Sequence, residues 1–560
     1  MDTNLSMNVA PHLSTALLII LMLAEILEGA AYKAPQASSV EQLELQVQQS
    51  PSDPMAHFRL GVALYQAGDT EGAGKEFQAT LKLNPSLAEA HNDLGTILRQ
   101  EGKVQEAIQE FQLALKANPQ FLGAQYNLAL ALIASNHAAA AKTEAEQAVS
   151  GHPDWAPGHY VLGLALEKMG SLDASDRAFR RALTLDPRMS LAWYNLGLLA
   201  TRRGRNFAAI QDFQNASTID PQSADAYYAL GEQLLLTPDL TGARRAFEHA
   251  IELRPRDADT HYQLGVLGER QADPQAAMSE YSHALSINPK YTAARVALAR
   301  VESKEGKIDS ALGEVHQALT TDASSAEAHE LYGEILRRKG EVQRSVRELE
   351  LANRLSPKLA GAHYELGLAL EQEGDLVCAK EELRRAIALD SNDKGAHLAL
   401  ASLLRRLGET QGAQAEFSLA EKLNQEGINR DLARGANRAG VELAGKKQWD
   451  AALEQFQKAL HFEPDLSEAR FNLAGALLEQ GKLAEAAAEL RTLVKQYPEW
   501  PQAHYQLGRV LQLEGSTDQA CAEYSEALRL DPNSSDAHLS LSLLRARNNS
   551  KSCGETPANR

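Results

Sequence analysis

Residues Ser190 to Pro221 read SLAWYNLGLLATRRGRNFAAIQDFQNASTIDP, and the architecture follows from this one stretch. Its apolar residues, Leu191, Tyr194, Leu198 and Leu199, then Phe207, Ile210, Phe213 and Ile219, recur at steps of three and four, the spacing that puts side chains on one face of an α-helix. Two amphipathic helices are expected. Gly204 stands near the C-terminal end of the first, where a residue without Cβ enters the left-handed region at no steric cost. Pro221 ends the second, having no N–H for a further turn. Gly197, Ala209 and Ala216 leave room at the contact, and Trp193, Leu196 and Phe213 supply the bulk around it, so the two helices pack closely.

The pattern returns every 34 residues, with copies starting at Pro54, Ala88, Leu122, Ala156, Ser190, Ala224, Ala258, Thr292, Ala326, Ala360 and Lys394. The eighth place holds Gly61, Gly95, Gly163, Gly197, Gly231, Gly265, Gly333 and Gly367, or else Ala129, Ala299 and Ala401, so it reads as a helix–helix contact point. Proline closes most of the second helices, from Pro85 to Pro357. Eleven copies fill residues 54–425. Five extra residues then intervene, and three more copies fill residues 433–534, with Gly440, Ala474 and Gly508 at the eighth place. Residues 426–432 contain Gly427 and no proline, which allows either a hinge or one helix running on into the next. Residues 38–53 read as a half-unit that hides the first apolar face, and residues 535–547 as a C-terminal capping helix. Residues 548–560 are polar and expected to be disordered.

On these residues the chain resembles the tetratricopeptide-repeat family, whose unit is a 34-residue helix–turn–helix with this alternation of small and large places. The resemblance covers about nine-tenths of the chain. It implies an all-α, right-handed superhelical solenoid of tandem 34-residue helix–turn–helix repeats, whose first helices line a concave groove. It also implies a non-enzymatic scaffold that binds peptide segments or partner proteins in that groove. The alternative is an accessory subunit that presents substrates to a separate enzyme, such as a glycosyltransferase or a cell-envelope assembly or secretion machine. Pro238 and Ala272 stand where a turn glycine is usual, so those two turns are expected to differ in shape. The RNA-reading pentatricopeptide class, with its 35-residue unit, is set aside by the 34-residue step and the acidic balance. The lysine–asparagine clamp with which some family members hold chaperone tails is missing. The asparagine ladder of the O-linked N-acetylglucosamine transferase repeats is reduced to Asn127, Asn195 and Asn472.

The 560 residues carry a formal net charge of −18, which works against nonspecific binding to nucleic acid or to an anionic membrane surface. Aromatic residues are only 6% of the chain, so alanine and leucine must build most of the interior. No phosphate-binding loop, dinucleotide fingerprint or paired-cysteine metal motif is present, and neither catalysis nor a cofactor is expected. Cys378 and Cys521 read as small apolar residues. Histidines recur at the fourth place, from His57 to His538, but each lies on a different hairpin, so packing rather than metal ligation is expected of them. Residues 1–37 differ in kind. The apolar run from Ala16 to Ala24 has the length of a signal-peptide core, though no Lys or Arg precedes it. It reads as an export signal, periplasmic or secreted, or as an uncleaved membrane anchor; the chain is cytoplasmic if the signal is not used.

Two series mark the expected groove. Tyr126, Tyr160, Tyr194, Tyr228 and Tyr262 occupy the fifth place in consecutive copies, with Tyr364 and Tyr505 further on. Such a ladder offers rigid apolar bodies and hydroxyls to an extended peptide, or packs between adjacent first helices. Lys168, Arg202, Arg270, Lys304, Arg338 and Arg406 stand at the thirteenth place. They suit acidic segments of a partner, or simply the negative end of the helix dipole.

Overall fold

The computed structural model describes residues 40–548 apart from 238, 532 and 533, and the expectations for residues 1–37, for the tail and for the turn at Pro238 fall outside them. Each expected unit is a hairpin of two α-helices, as in Ala156–Lys168 with Leu172–Leu185 and Ala258–Arg270 with Pro274–Ile287. Asp69, Asp239 and Asp375 start second helices by accepting the N–H of the residue three on, at 2.8–3.0 Å. Most first helices end on a left-handed glycine such as Gly170, φ 75°, or Gly204, φ 68°. The expectation for Ala272 is corrected: at φ 56° it keeps the glycine conformation, as do Asn136 and Lys447, so the turn retains its shape and the alanine bears the Cβ strain.

The eighth-place glycines are close approaches. A Cβ on Gly163 would stand 2.5 Å from the Phe179 ring, one on Gly61 2.7 Å from Phe77, and one on Gly265 2.4 Å from Tyr281. Gly95, Gly231 and Gly508 meet the rings of Phe111, Phe247 and Tyr524 in the same way, and Gly333 and Gly367 meet Leu349 and Leu383. A ring or leucine from the second helix therefore lies flat against bare backbone of the first. Phe77, Phe111, Phe179 and Phe247 are fully buried there, with small residues such as Ala73 and Ala107 around them.

Two compact bodies divide between Leu199 and Ala200, inside the helix Ser190–Arg202. Within each body, first helices of successive units approach one another, as Leu122–Ala134 does Ala156–Lys168, and Thr292–Lys304 does Ala326–Arg338. Among the described residues, successive second helices show no comparable approach, so the first-helix side is the inner side of each body's curvature. The insertion forms a run-on: Thr410–Gly445 is one helix of 36 residues, with no buried residue between 421 and 432. The chain is capped by Val40–Gln49, which buries Leu43, and by Ser535–Asn548, which buries Leu541 and Leu544.

The second body also touches itself far along the sequence. Phe207 stacks on Trp500 at 4.6 Å between ring centroids and 8° between planes, Tyr497 meets Phe207 edge-on, and Arg205 faces Glu499 at 3.4 Å. The cysteine reading is corrected: Cys378 is exposed, and Cys521 is buried but engaged in a disulfide. Among the described residues no helix is long and apolar enough to cross a membrane.

Candidate functional site: the inner face of the first helices

Many units are tied to the one before them by the fourth place, the sixth, or both. At the fourth place, His91 Nε2 lies 3.1 Å from the Pro85 carbonyl and its Nδ1 2.6 Å from Glu110 on its own second helix. Trp193 donates to the Pro187 carbonyl at 3.0 Å, and Arg295 to that of Pro289 at 2.7 Å, so the side chain varies while the link persists. At the sixth place, Asn127 donates to Asn92 at 2.9 Å and Asn195 to the Tyr160 hydroxyl at 3.2 Å, in each case the fifth place of the preceding unit. His91 therefore packs and bridges, as do His57, His329, His363, His397 and His504. Their glutamate partners, nineteen residues on, went unread because the small-and-large pattern does not require a carboxylate there.

The tyrosine ladder sits between these links. Tyr126 and Tyr160 are buried, whereas Tyr194, Tyr228, Tyr262, Tyr364 and Tyr505 are half-buried. Tyr160, Tyr262 and Tyr505 each lean on a ring of their own second helix, Phe179, Tyr281 and Tyr524, at 5.6–5.8 Å. Burial pushes the Tyr126 hydroxyl up to about 12. The Tyr228 hydroxyl donates to Glu232 at 3.0 Å and accepts from Gln263. Packing between helices thus accounts for much of each ring's surface.

The basic series is partly engaged within the chain. Arg338 donates to Ser303 at 2.9 Å, Arg406 pairs with Glu371, and Lys304 lies 3.7 Å from Glu269, each time the twelfth place of the preceding unit. Lys168, Arg202 and Arg270 are exposed at the ends of their helices.

A different arginine is the unusual one. Arg99, at the twelfth place of the second unit, has its Nε and one terminal nitrogen buried with no hydrogen-bond partner among the described residues. Burial lowers its pKa, and the neighbouring Tyr126 and Tyr65 act in the opposite sense. Leaving such donors unmet costs about 1–3 kcal/mol, more for a charged group. On the same helix Asp93 is pushed up to about 7, chiefly by burial, with the Asn92 amide opposing and Glu89 reinforcing. Glu330, at the fifth place of the ninth unit, is likewise pushed up to about 7 by burial, with Arg300 opposing. Arg99 escaped the sequence reading because the cationic series was counted at the thirteenth place, which is Gln100 in this unit.

Solved structures similar to this chain match it at low identity. The Cut9–Hcn1 hetero-tetramer of APC/C is 14% identical, with 90% of this chain and 99% of that one aligned at a TM-score of 0.40. Yeast Tom70 is 15% identical, covering 79% and 98% at 0.36. MamA is 26% identical over 30% of this chain and 97% of its own, at 0.29. No curated protein matches the sequence. The family description "Tetratricopeptide repeat" matches residues 37–87, 58–121, 160–224 and 228–292 in one form. A second form matches 98–164, 270–335 and 443–509, and a third matches 360–393 and 501–534. With the hairpins, the glycine contacts and these matches in agreement over most of its length, the chain belongs to the tetratricopeptide-repeat family.

Proposed function

We propose that the chain is a non-enzymatic scaffold that holds an extended polypeptide along the first helices of its first body, with Arg99 taking a carboxylate of that polypeptide. The observation that carries this reading is the pair of unmet N–H groups on Arg99, set among Tyr65 and Tyr126. A guanidinium binds carboxylate in a two-point fork and so gains most from a ligand that completes it. Leu164, half-buried on the first helix of the fourth unit, offers apolar surface for the residues that follow. The acidic class of partner is thereby retained, with the recognition moved from the thirteenth-place series to Arg99.

Fluorescence anisotropy with labelled peptides, acidic or ending in a free carboxylate, tests this on the full chain. Arg99→Gln should weaken capture at least tenfold, the size expected for loss of a charge-assisted hydrogen bond. Amidating the peptide terminus, or replacing its acids by amides, should do the same to the wild type. The variant's melting temperature should hold or rise, since an unpaired buried charge is removed. Undiminished capture by Arg99→Gln would refute the reading.

A further inference from the structure

The repeat supplies two thirds of a metal site many times over. A fourth-place histidine faces a glutamate of its own second helix in His57–Glu76, His91–Glu110, His261–Glu280, His329–Glu348, His363–Glu382, His397–Glu416 and His504–Glu523, all at 2.6–2.7 Å. What varies is the residue one turn beyond the glutamate. In the tenth unit it is Arg385, which reaches back to Glu382 at 2.6 Å. In the seventh it is His283, whose Nδ1 lies 3.8 Å from the same Glu280 oxygen that His261 touches. The two imidazole rings stand 5.4 Å apart, and the three ligand atoms all lie within 4.8 Å of one another.

We propose that His261, Glu280 and His283 form a binding site for a divalent transition ion, with zinc the reference case. A tetrahedral ion with bonds near 2.0–2.1 Å separates its ligands by about 3.3 Å, so the 2.7 and 3.8 Å spacings straddle the required value and small side-chain rotations close the difference. Two imidazoles and a carboxylate are borderline donors that suit zinc, copper or nickel rather than magnesium or calcium. Metal binding replaces the proton that His261 Nδ1 shares with Glu280. His261 also differs from its counterparts in a second way. The rings of His91, His363 and His504 each have Nε2 at 3.0–3.2 Å from the carbonyl six residues back, whereas among the described residues His261 makes no such bond, so its ring is not held to the packing role. His283 is exposed, leaving the fourth coordination position open to water or to a donor from a partner. The placement of ligands within one hairpin answers the objection that fourth-place histidines of different units cannot converge.

Calorimetric titration of the full, untagged chain with zinc chloride at neutral pH tests the site. The wild type should bind one ion more tightly than any other. His283→Gln, a change on the exposed face, should weaken that event at least tenfold without altering the helical circular dichroism. Arg385→His should add a second equivalent of similar affinity in the tenth unit. Acidification through the histidine range, about pH 6.5, should release the ion. Identical isotherms for the wild type and His283→Gln would overturn the assignment.

Discussion

Asp93 carries a pH dependence that single substitutions can isolate. Its folded-state pKa is raised from 3.8 to about 7, chiefly by burial, so the native state holds its proton where the unfolded chain has released it. The resulting stability is fully present below about pH 4 and is lost as pH rises through 7. Asp93→Asn removes this term, so the variant should gain on the wild type as pH climbs from 5 to 8. Urea midpoints of both proteins at the two pH values measure it; a constant gap would show that Asp93 is solvated in the folded state. The repeat's small places were legible in the sequence because, in copies such as those of Gly61, Gly163 and Gly265, a Cβ would stand 2.4–2.7 Å from a ring of the second helix. Asp93 and Arg99 were not, since the fold tolerates almost any side chain at those places and the unit's periodicity says nothing about them.

The run-on helix Thr410–Gly445 shows where legibility stopped at the level of an element. Nothing in residues 425–431 forbids a helix, and nothing in their apolar spacing demands one. The structure favours continuity: with no proline in the segment the backbone ladder is unbroken, and Gln425 donates to Asn429 at 2.9 Å while Lys422 faces Glu426 at 3.8 Å. Because no residue of 421–432 is fully buried and exposed polar contacts such as Lys394 with Asn424 and Arg430 with Glu463 add little, this stretch rests mainly on local terms, and Gly427 is its weakest residue. Gly427→Ala should stabilise the segment by about 0.8–1 kcal/mol. Native-state hydrogen exchange should then slow several-fold across residues 421–432 while the amides of the Ala360–Glu373 helix stay unchanged. An unaltered exchange profile would mean that the helix opens only with its neighbouring units.

The small-against-large helix contacts that recur at the 34-residue step were readable from the sequence; contacts that break the step were not, and the closure of the second body is the clearest of these. Phe207 looks like an ordinary apolar residue of the fifth unit, and Trp500 merely precedes the fourteenth, yet their rings stack at 4.6 Å. Phe471 covers Trp500 on another side at 4.9 Å, leaving the indole 8% exposed. In a solenoid each unit contacts its neighbours only, so the twist per unit is soft and small changes accumulate over many repeats. A contact between such distant units removes that freedom at once. The pair offers about 0.5–1.5 kcal/mol beyond the area it buries, a scale at which opening is reversible. Phe207→Ala should therefore leave the hairpins and the melting of single units nearly intact while freeing the second body to extend. Small-angle scattering should report a larger radius of gyration for the variant, and Trp500 emission should shift to the red. Adding Arg205→Ala, which removes the flanking pair with Glu499, should enlarge both effects; an unchanged scattering curve in the double variant would show that the stack follows from the curvature of the repeats and does not hold it.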